Sequence, residues 1–159
     1  MLGDARLGGA RASDLDPLDL ETALLRAAVG DYALEAAVLL LADSGYWLPR
    51  LQAAGLVTIA LDGDAADGGP WAAVQWNDLD AALRSGVIAG SSGQLRLLRA
   101  AASLAEGQPI DLADLTAAVD RTELTLLLAA LAHAAGSHEH RDDETGALLG
   151  PVVAWPFRD

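Results

Sequence analysis

The segment AHAAGSHEHRDDE, residues 132–144, concentrates side chains that bind transition metals. Imidazole nitrogens of His133, His138 and His140 and the carboxylate of Glu139 are suitable ligand atoms for zinc and related ions. The helical pattern that contains His133 stops at Gly136, however, so the spacing does not fix a common geometry. We therefore expect a polar linker and assign no metal ligand, and metal binding by the His138–His140 segment stays open.

A second group of possible ligands is the glycine-rich sequence DGDAADGG, residues 62–69. Carboxylates of Asp62, Asp64 and Asp67 could converge on a hard cation such as Ca²⁺. The third acid falls one place late for an EF-hand loop, and the distal glutamate of that motif is missing. A solvated turn is the favoured interpretation, with metal binding by this acidic loop left open.

The sequence RSGVIAGSSGQLRLLR, residues 84–99, holds the one local excess of positive charge beside a predicted helix start. Free backbone N–H groups at a helix N-terminus attract anions. The residues predicted to bind an anion here are Arg84, Ser91, Ser92, Arg96 and Arg99. The alternative is a capped helix whose arginines pair with nearby acids.

Residues for catalysis are not evident in this sequence. It contains no Cys and no Lys, which excludes thiol nucleophiles, Schiff-base lysines and phosphate-loop lysines. Serine-nucleophile, zinc-helix and dinucleotide motifs are also missing. We assign no catalytic residue and no cofactor, and a small enzyme with an unrecognised site remains one alternative.

The elements that must position these groups are mostly helical. Repeated apolar spacing, with caps such as Asp16, Ser91 and Asp120 and stops at Gly30 and Gly107, predicts five or six helices. LVTIAL and WAAVQW predict an antiparallel β-hairpin at about residues 56–76. The predicted fold is mainly α with this one hairpin: a flexible leader at 1–15, a single compact helical domain at 16–136, and a polar linker with an extended apolar tail at 137–159.

The charge of the chain limits its partners. Its 23 acidic and 10 basic residues give a formal net charge of -13. Such a field repels nucleic acid and anionic membrane surfaces. The longest uncharged run, about 14 residues, is shorter than the roughly 20 that a membrane span needs. We expect a soluble, cytoplasmic protein that binds neither membranes nor nucleic acid.

The helix pattern DRTELTLLLAALAHAAG, residues 120–136, is almost free of charge. Leucines form one wide apolar stripe, and the opposite side, with Ala129 and His133, is small and nearly neutral. A helix covered on one side alone carries charge on the other. Both sides are therefore expected to be covered, by the domain's own core or by a second subunit or protein partner on the small-residue side.

Tryptophan is the other feature that indicates association, because this side chain is a favoured interface anchor as well as a core filler. Four Trp occur beside one Phe and two Tyr. The leading hypothesis is a non-enzymatic interaction or structural module that binds itself or another protein. Its predicted contact residues are Trp71, Trp76, Ala129, His133 and Trp155.

A helix-turn-helix DNA-binding regulator is a further alternative. PIDLADLTAAVDRTELTLLLAALAHAAG, residues 109–136, predicts two helices with a tight joint. A recognition helix needs Arg, Lys, Asn or Gln for the base edges, and the second helix offers Arg121 and otherwise Glu123, threonines and aliphatic residues. The composition therefore speaks against DNA reading.

The span from Gly90 to His140, GSSGQLRLLRAAASLAEGQPIDLADLTAAVDRTELTLLLAALAHAAGSHEH, resembles the C-terminal half of small uncharacterised actinobacterial proteins. It covers roughly a third of the chain. The Lys-free, Ala- and Arg-rich composition fits a GC-rich genome. The resemblance implies a source and no activity.

Overall fold

The computed structural model describes residues 15–60 and 69–158, and these confirm a mainly α fold with one small antiparallel hairpin. The predicted leader, apart from its last residue, and the acidic loop of Asp62, Asp64 and Asp67 lie outside the described residues. The described elements are α1 (Pro17–Ala28), α2 (Tyr32–Asp43), α3 (Trp47–Ala53), β1 (Val57–Ala60), β2 (Trp71–Val74), α4 (Leu79–Ser85), α5 (Ser92–Glu106), α6 (Leu112–Ala117) and α7 (Arg121–Ala134), with single 3-10 turns at Trp76–Asp78 and Ser137–Glu139.

Seven helices occur in this part of the chain, where five or six were predicted. The difference is α3, for which the sequence suggested a single turn after Pro49. Pro49 is the third residue of this helix. A proline in the first turn removes an N–H that has no helical acceptor, so the helix tolerates it.

Side-chain caps begin the longer helices where the sequence predicts them. The Asp16 carboxylate accepts from the Asp19 N–H, 2.8 Å away. Ser91 and Asp120 each form a complete capping box, in which a side-chain oxygen of Gln94 or Glu123 accepts a hydrogen bond from the backbone N–H of the cap residue. Each such cap contributes on the order of 1 kcal/mol and fixes where its helix starts.

The described residues divide into two compact units. Residues 15–27, 48–60 and 69–89 form the hairpin unit. Residues 28–47 and 90–158 form the second unit, which we call the three-helix unit after its long helices α2, α5 and α7 and which also contains the short helix α6. The chain segments 137–158, predicted as a linker and tail, therefore belong to the second unit.

In the hairpin unit, β1 and β2 pair antiparallel with Val57 opposite Val74 and Ala60 opposite Trp71. Val57 and Val74 are buried on one face, while Trp71 on the other face is 48% exposed. Arg26 of α1 donates to the Pro70 carbonyl at 2.7 Å, which ties this helix to the start of β2. The predicted hairpin is confirmed, with strands shorter than expected.

In the three-helix unit, α2 packs against both α5 and α7. Six consecutive α2 residues, 36–41, are buried. A helix buried all round must be apolar all round, and this one has Asp31 at its cap, Glu35 in its first turn and Asp43 at its end as its charges. This nearly uncharged sequence is typical of a central buried helix.

The C-terminal segment is fixed to the three-helix unit at its far end. Arg158 binds the carboxylate of Asp43, the last residue of α2, with Nε 2.9 Å from Oδ1 and 3.1 Å from Oδ2, and Nη2 2.6 Å from Oδ1. Nearer its start, the Val152 N–H donates to Ser137 Oγ at 3.1 Å. The tail is thus held by specific polar contacts, although Val152 and Phe157 are exposed.

Between these points the chain makes a tight turn, closed by an antiparallel bridge between Arg141 and Leu148. The Asp142 carboxylate accepts from the Thr145 N–H at 2.7 Å, from Thr145 Oγ at 3.0 Å and from the Glu144 N–H at 3.0 Å. These hydrogen bonds, those from Thr145 foremost, stabilise the ionised form and lower the pKa of Asp142.

None of the helices within residues 15–60 and 69–158 is long and apolar enough to cross a bilayer.

Candidate functional site

The exposed face of α7 is made of leucine. Leu124, Leu128 and Leu131 are 40%, 44% and 55% exposed, and their spacing of four and three residues places them on one side of the helix. No charged side chain interrupts this row. We call these three residues the leucine face.

The leucine face continues into a groove between α5, α6 and α7. Leu131 lines this groove together with Leu112, which is 67% exposed, and with the buried Leu127. Ser103 is the single polar residue of the lining, whose other members are Ala100, Leu104, Ile110, Leu115 and Ala130. An apolar groove without converging polar groups suits an apolar side chain better than a reacting substrate.

The sequence analysis placed a possible partner on the small-residue side of α7, with Ala129 and His133. The structure instead buries this side and exposes the leucine face. Ala129, predicted as a contact residue, has no exposed surface. The face with Ala129 and His133 turns towards α2, because alanines on both helices allow their backbones to approach closely. Ala129 therefore presents no exposed surface to a partner in this structure, and the leucines take the exposed position.

The three tryptophans predicted as contact residues differ in their exposure. Trp71 is half-exposed on the hairpin and remains available, whereas Trp76 is buried at 6% exposure and is not. Trp155 is partly buried, with its ring centroid 6.2 Å from that of His133. Of the five predicted contact residues, Trp71 alone presents a largely exposed side chain.

A cluster of ionisable side chains lies where α2 meets the end of α7. His133 Nε2 and Glu35 Oε1 are 2.9 Å apart, with the two side chains 16% and 20% exposed. The His138 ring stacks on the His133 ring, with centroids 4.2 Å apart and planes 13° apart. We call Glu35, His133 and His138 the imidazole cluster.

Tyr32 borders the imidazole cluster on a third side. Its ring meets that of His138 edge-on at 4.8 Å and that of His133 at 6.0 Å. His138 Nδ1 is buried and has no hydrogen-bond partner among the described residues. A buried imidazole nitrogen left without a partner requires an explanation, because desolvating it costs free energy.

Sequence reasoning found two members of the imidazole cluster and missed the third. It grouped His133 and His138 with His140 and Glu139, both of which are exposed. Glu35 comes from a helix 98 residues earlier in the chain. The available signal was that Glu35 is an isolated acid within an otherwise apolar helix, a position where a partner is expected.

The predicted anion site is largely occupied by the chain's own groups. Ser91 is engaged in its capping box, and Arg96 binds Asp114 through Nη2 at 2.9 Å and the Asp114 carbonyl through Nε at 2.6 Å. Ser92 is the first residue of α5 and its carbonyl accepts from Arg96, and Arg99 also has a partner. Arg84 belongs to the hairpin unit, whereas the others belong to the three-helix unit.

The N-terminus of α5 already faces an anion of this chain. A Cβ added at Gly93, in the first turn of α5, would overlap the carboxylate of Glu123. Glu123 is held there by the capping box of α7, in which it accepts from the Asp120 N–H at 2.8 Å. This arrangement corresponds to the alternative of a capped helix with paired arginines.

We expect Gly93→Ala to lower the free energy of unfolding by less than about 1 kcal/mol, because the new methyl group displaces the Glu123 carboxylate from its capping box while the higher helix propensity of alanine offsets part of that loss. Urea denaturation followed by circular dichroism measures this change. Gly107→Ala is unsuitable as a control, since Gly107 has a positive φ. Ala105→Ser, at a half-buried site on the same helix, is the matched substitution, and a larger loss from it would contradict this account.

No protein-family model, curated protein or solved structure matches this chain.

Proposed function

We propose that this protein is a non-enzymatic, self-associating interaction module and that a second copy of the chain covers the leucine face. The observation that supports this proposal is the exposure of Leu124, Leu128 and Leu131 in one row without a charge. Because each of these side chains is already about half-buried, covering the rest of it is worth about 1 kcal/mol. Exposed apolar rows of this kind are typical of contact surfaces.

A second copy fits this surface for a geometric reason. In a two-fold dimer each patch meets its own copy, so a row of like apolar residues is complementary to itself. Leu112 and the groove beside Leu131 extend the patch beyond one helix and offer pockets for leucines of the other copy. A charged partner would gain nothing from this uncharged row.

The structural details argue against DNA reading by α6 and α7. Helix α6 has six residues, and the exposed face of α7 carries leucines where base contacts require Arg, Lys, Asn or Gln. An apolar groove with one serine likewise gives no support to catalysis there. We therefore favour the interaction module over both alternatives.

We expect the wild-type chain to sediment as a dimer and Leu128→Glu to raise its dissociation constant at least about 100-fold. The symmetric interface buries this leucine twice, and a buried unpaired carboxylate adds a further penalty. Sedimentation equilibrium over a concentration series measures the change.

Leu18→Glu is the matched control, because Leu18 is 70% exposed on α1 and lies outside the leucine face. It should leave the dissociation constant within about twofold of wild type. A wild-type chain that stays monomeric at every concentration would refute self-association. Equal effects of the two substitutions would show that the leucine face is not the interface.

A further inference from the structure

We propose that Glu35, His133 and His138 form a binding site for one divalent transition-metal ion, with Zn²⁺ as the ion best suited to it. One ligand atom from each residue lies within 4.8 Å of the other two. Two imidazoles and one carboxylate are a ligand set that zinc uses in proteins, with a fourth position for water. This site is separate from the leucine face and does not depend on self-association.

The distances are compatible with coordination after small side-chain movements. With metal–ligand bonds of about 2.0–2.1 Å, ligand atoms of a tetrahedral site stand roughly 3.4 Å apart. His133 Nε2 and Glu35 Oε1, now 2.9 Å apart, need to separate by about half an ångström. The two imidazole rings, now stacked, need to tilt so that their lone pairs converge.

The surroundings favour a cation at this position. Glu35 contributes negative charge directly, and the chain as a whole has a formal net charge of -13. His138 has a buried nitrogen without a partner, a state that an ion bound to the cluster can relieve. The side chains of Glu35 and His133 are each about one-fifth exposed, which leaves a path for the ion.

The ligands also indicate what the ion does. Glu35 lies in the first turn of α2, His133 in the last turn of α7, and His138 in the 3-10 turn that opens the C-terminal segment. One ion would therefore join two helices and the start of that segment. Its expected effect is to stabilise the three-helix unit, because an ion that binds the folded chain shifts the equilibrium away from the unfolded one.

Calorimetric titration of ZnCl₂ into the tag-free, chelator-treated full chain tests the site. We expect one equivalent of Zn²⁺ to bind, and His138→Gln and Glu35→Gln each to weaken that binding at least tenfold. His140→Gln is the matched control, because His140 is exposed and outside the cluster, and it should bind like wild type. Binding that is equal in all four proteins, or no stoichiometric binding by wild type, would overturn the proposal.

A second measurement does not depend on the folding of any variant. Co²⁺ in the wild-type chain should give the intense visible absorption of a tetrahedral site with nitrogen and oxygen ligands, and added Zn²⁺ should remove it. Trp155, beside His133, provides a further probe, since bound Co²⁺ should quench part of the tryptophan fluorescence and Trp155→Phe should abolish that part. A Co²⁺ spectrum that matches the hexaaquo ion would contradict the site.

Discussion

Trp47→Ala is expected to lower the free energy of unfolding by about 3–5 kcal/mol, the range found when a buried aromatic side chain is removed. Trp47 is fully buried, and its indole Nε1 donates to the Gln94 carbonyl at 2.7 Å. The Tyr46 ring packs edge-on against it at 4.9 Å, and Gly90 lies close to its far edge. Urea denaturation followed by circular dichroism measures the loss.

Two further substitutions separate the causes. Trp47→Phe keeps most of the ring but leaves the Gln94 carbonyl without its donor, so it should cost about 1–3 kcal/mol. Trp71→Ala is the control for tryptophan removal as such, because Trp71 is 48% exposed, and it should cost less than 1 kcal/mol. A loss at Trp71 equal to that at Trp47 would be inconsistent with the burial described.

The parts of the fold that could be predicted are those set by local chemistry. Caps at Asp16, Ser91 and Asp120 need one side chain and the N–H groups of the next turn, so the sequence alone places them. The hairpin follows from β-branched and aromatic residues on both sides of a turn-rich segment.

The parts that could not be predicted depend on residues distant in the chain. A helix with apolar residues on two sides does not specify which side faces inward, and the burial of Ala129 follows only once α7 has packed in the folded unit. The imidazole cluster has the same origin, since Glu35 reaches His133 only after α2 and α7 have packed. Because the sequence analysis considered only the segment around His133 and His138, it grouped these histidines with His140 and Glu139 and missed Glu35.

The two proposed contacts draw on opposite sides of α7. Its inner side, through Ala129 and His133, is committed to α2, and its outer side carries the leucine face. An ion at the imidazole cluster would stiffen the inner side, while a second copy would cover the outer side. Under these two proposals both sides of α7 would be covered, and this would explain the nearly uncharged sequence of residues 124–137.

Arg158→Gln is expected to lower the free energy of unfolding by about 2–4 kcal/mol, because it leaves the Asp43 carboxylate without its cation. The Asp43 side chain is 6% exposed and accepts three hydrogen-bond contacts from Arg158. Asp43 also ends α2, where the helix dipole disfavours negative charge, so Arg158 offsets two costs at once.

Urea denaturation of Arg158→Gln, Asp43→Asn and the double variant measures the coupling. The double variant should lose less free energy of unfolding than the two single variants together. Each single variant leaves one charged side chain without its partner, whereas the double variant contains neither charge. Because the tail is then held mainly at Ser137, Trp155 fluorescence should shift to the red in Arg158→Gln, and additive losses with no such shift would mean that this ion pair does not hold the tail.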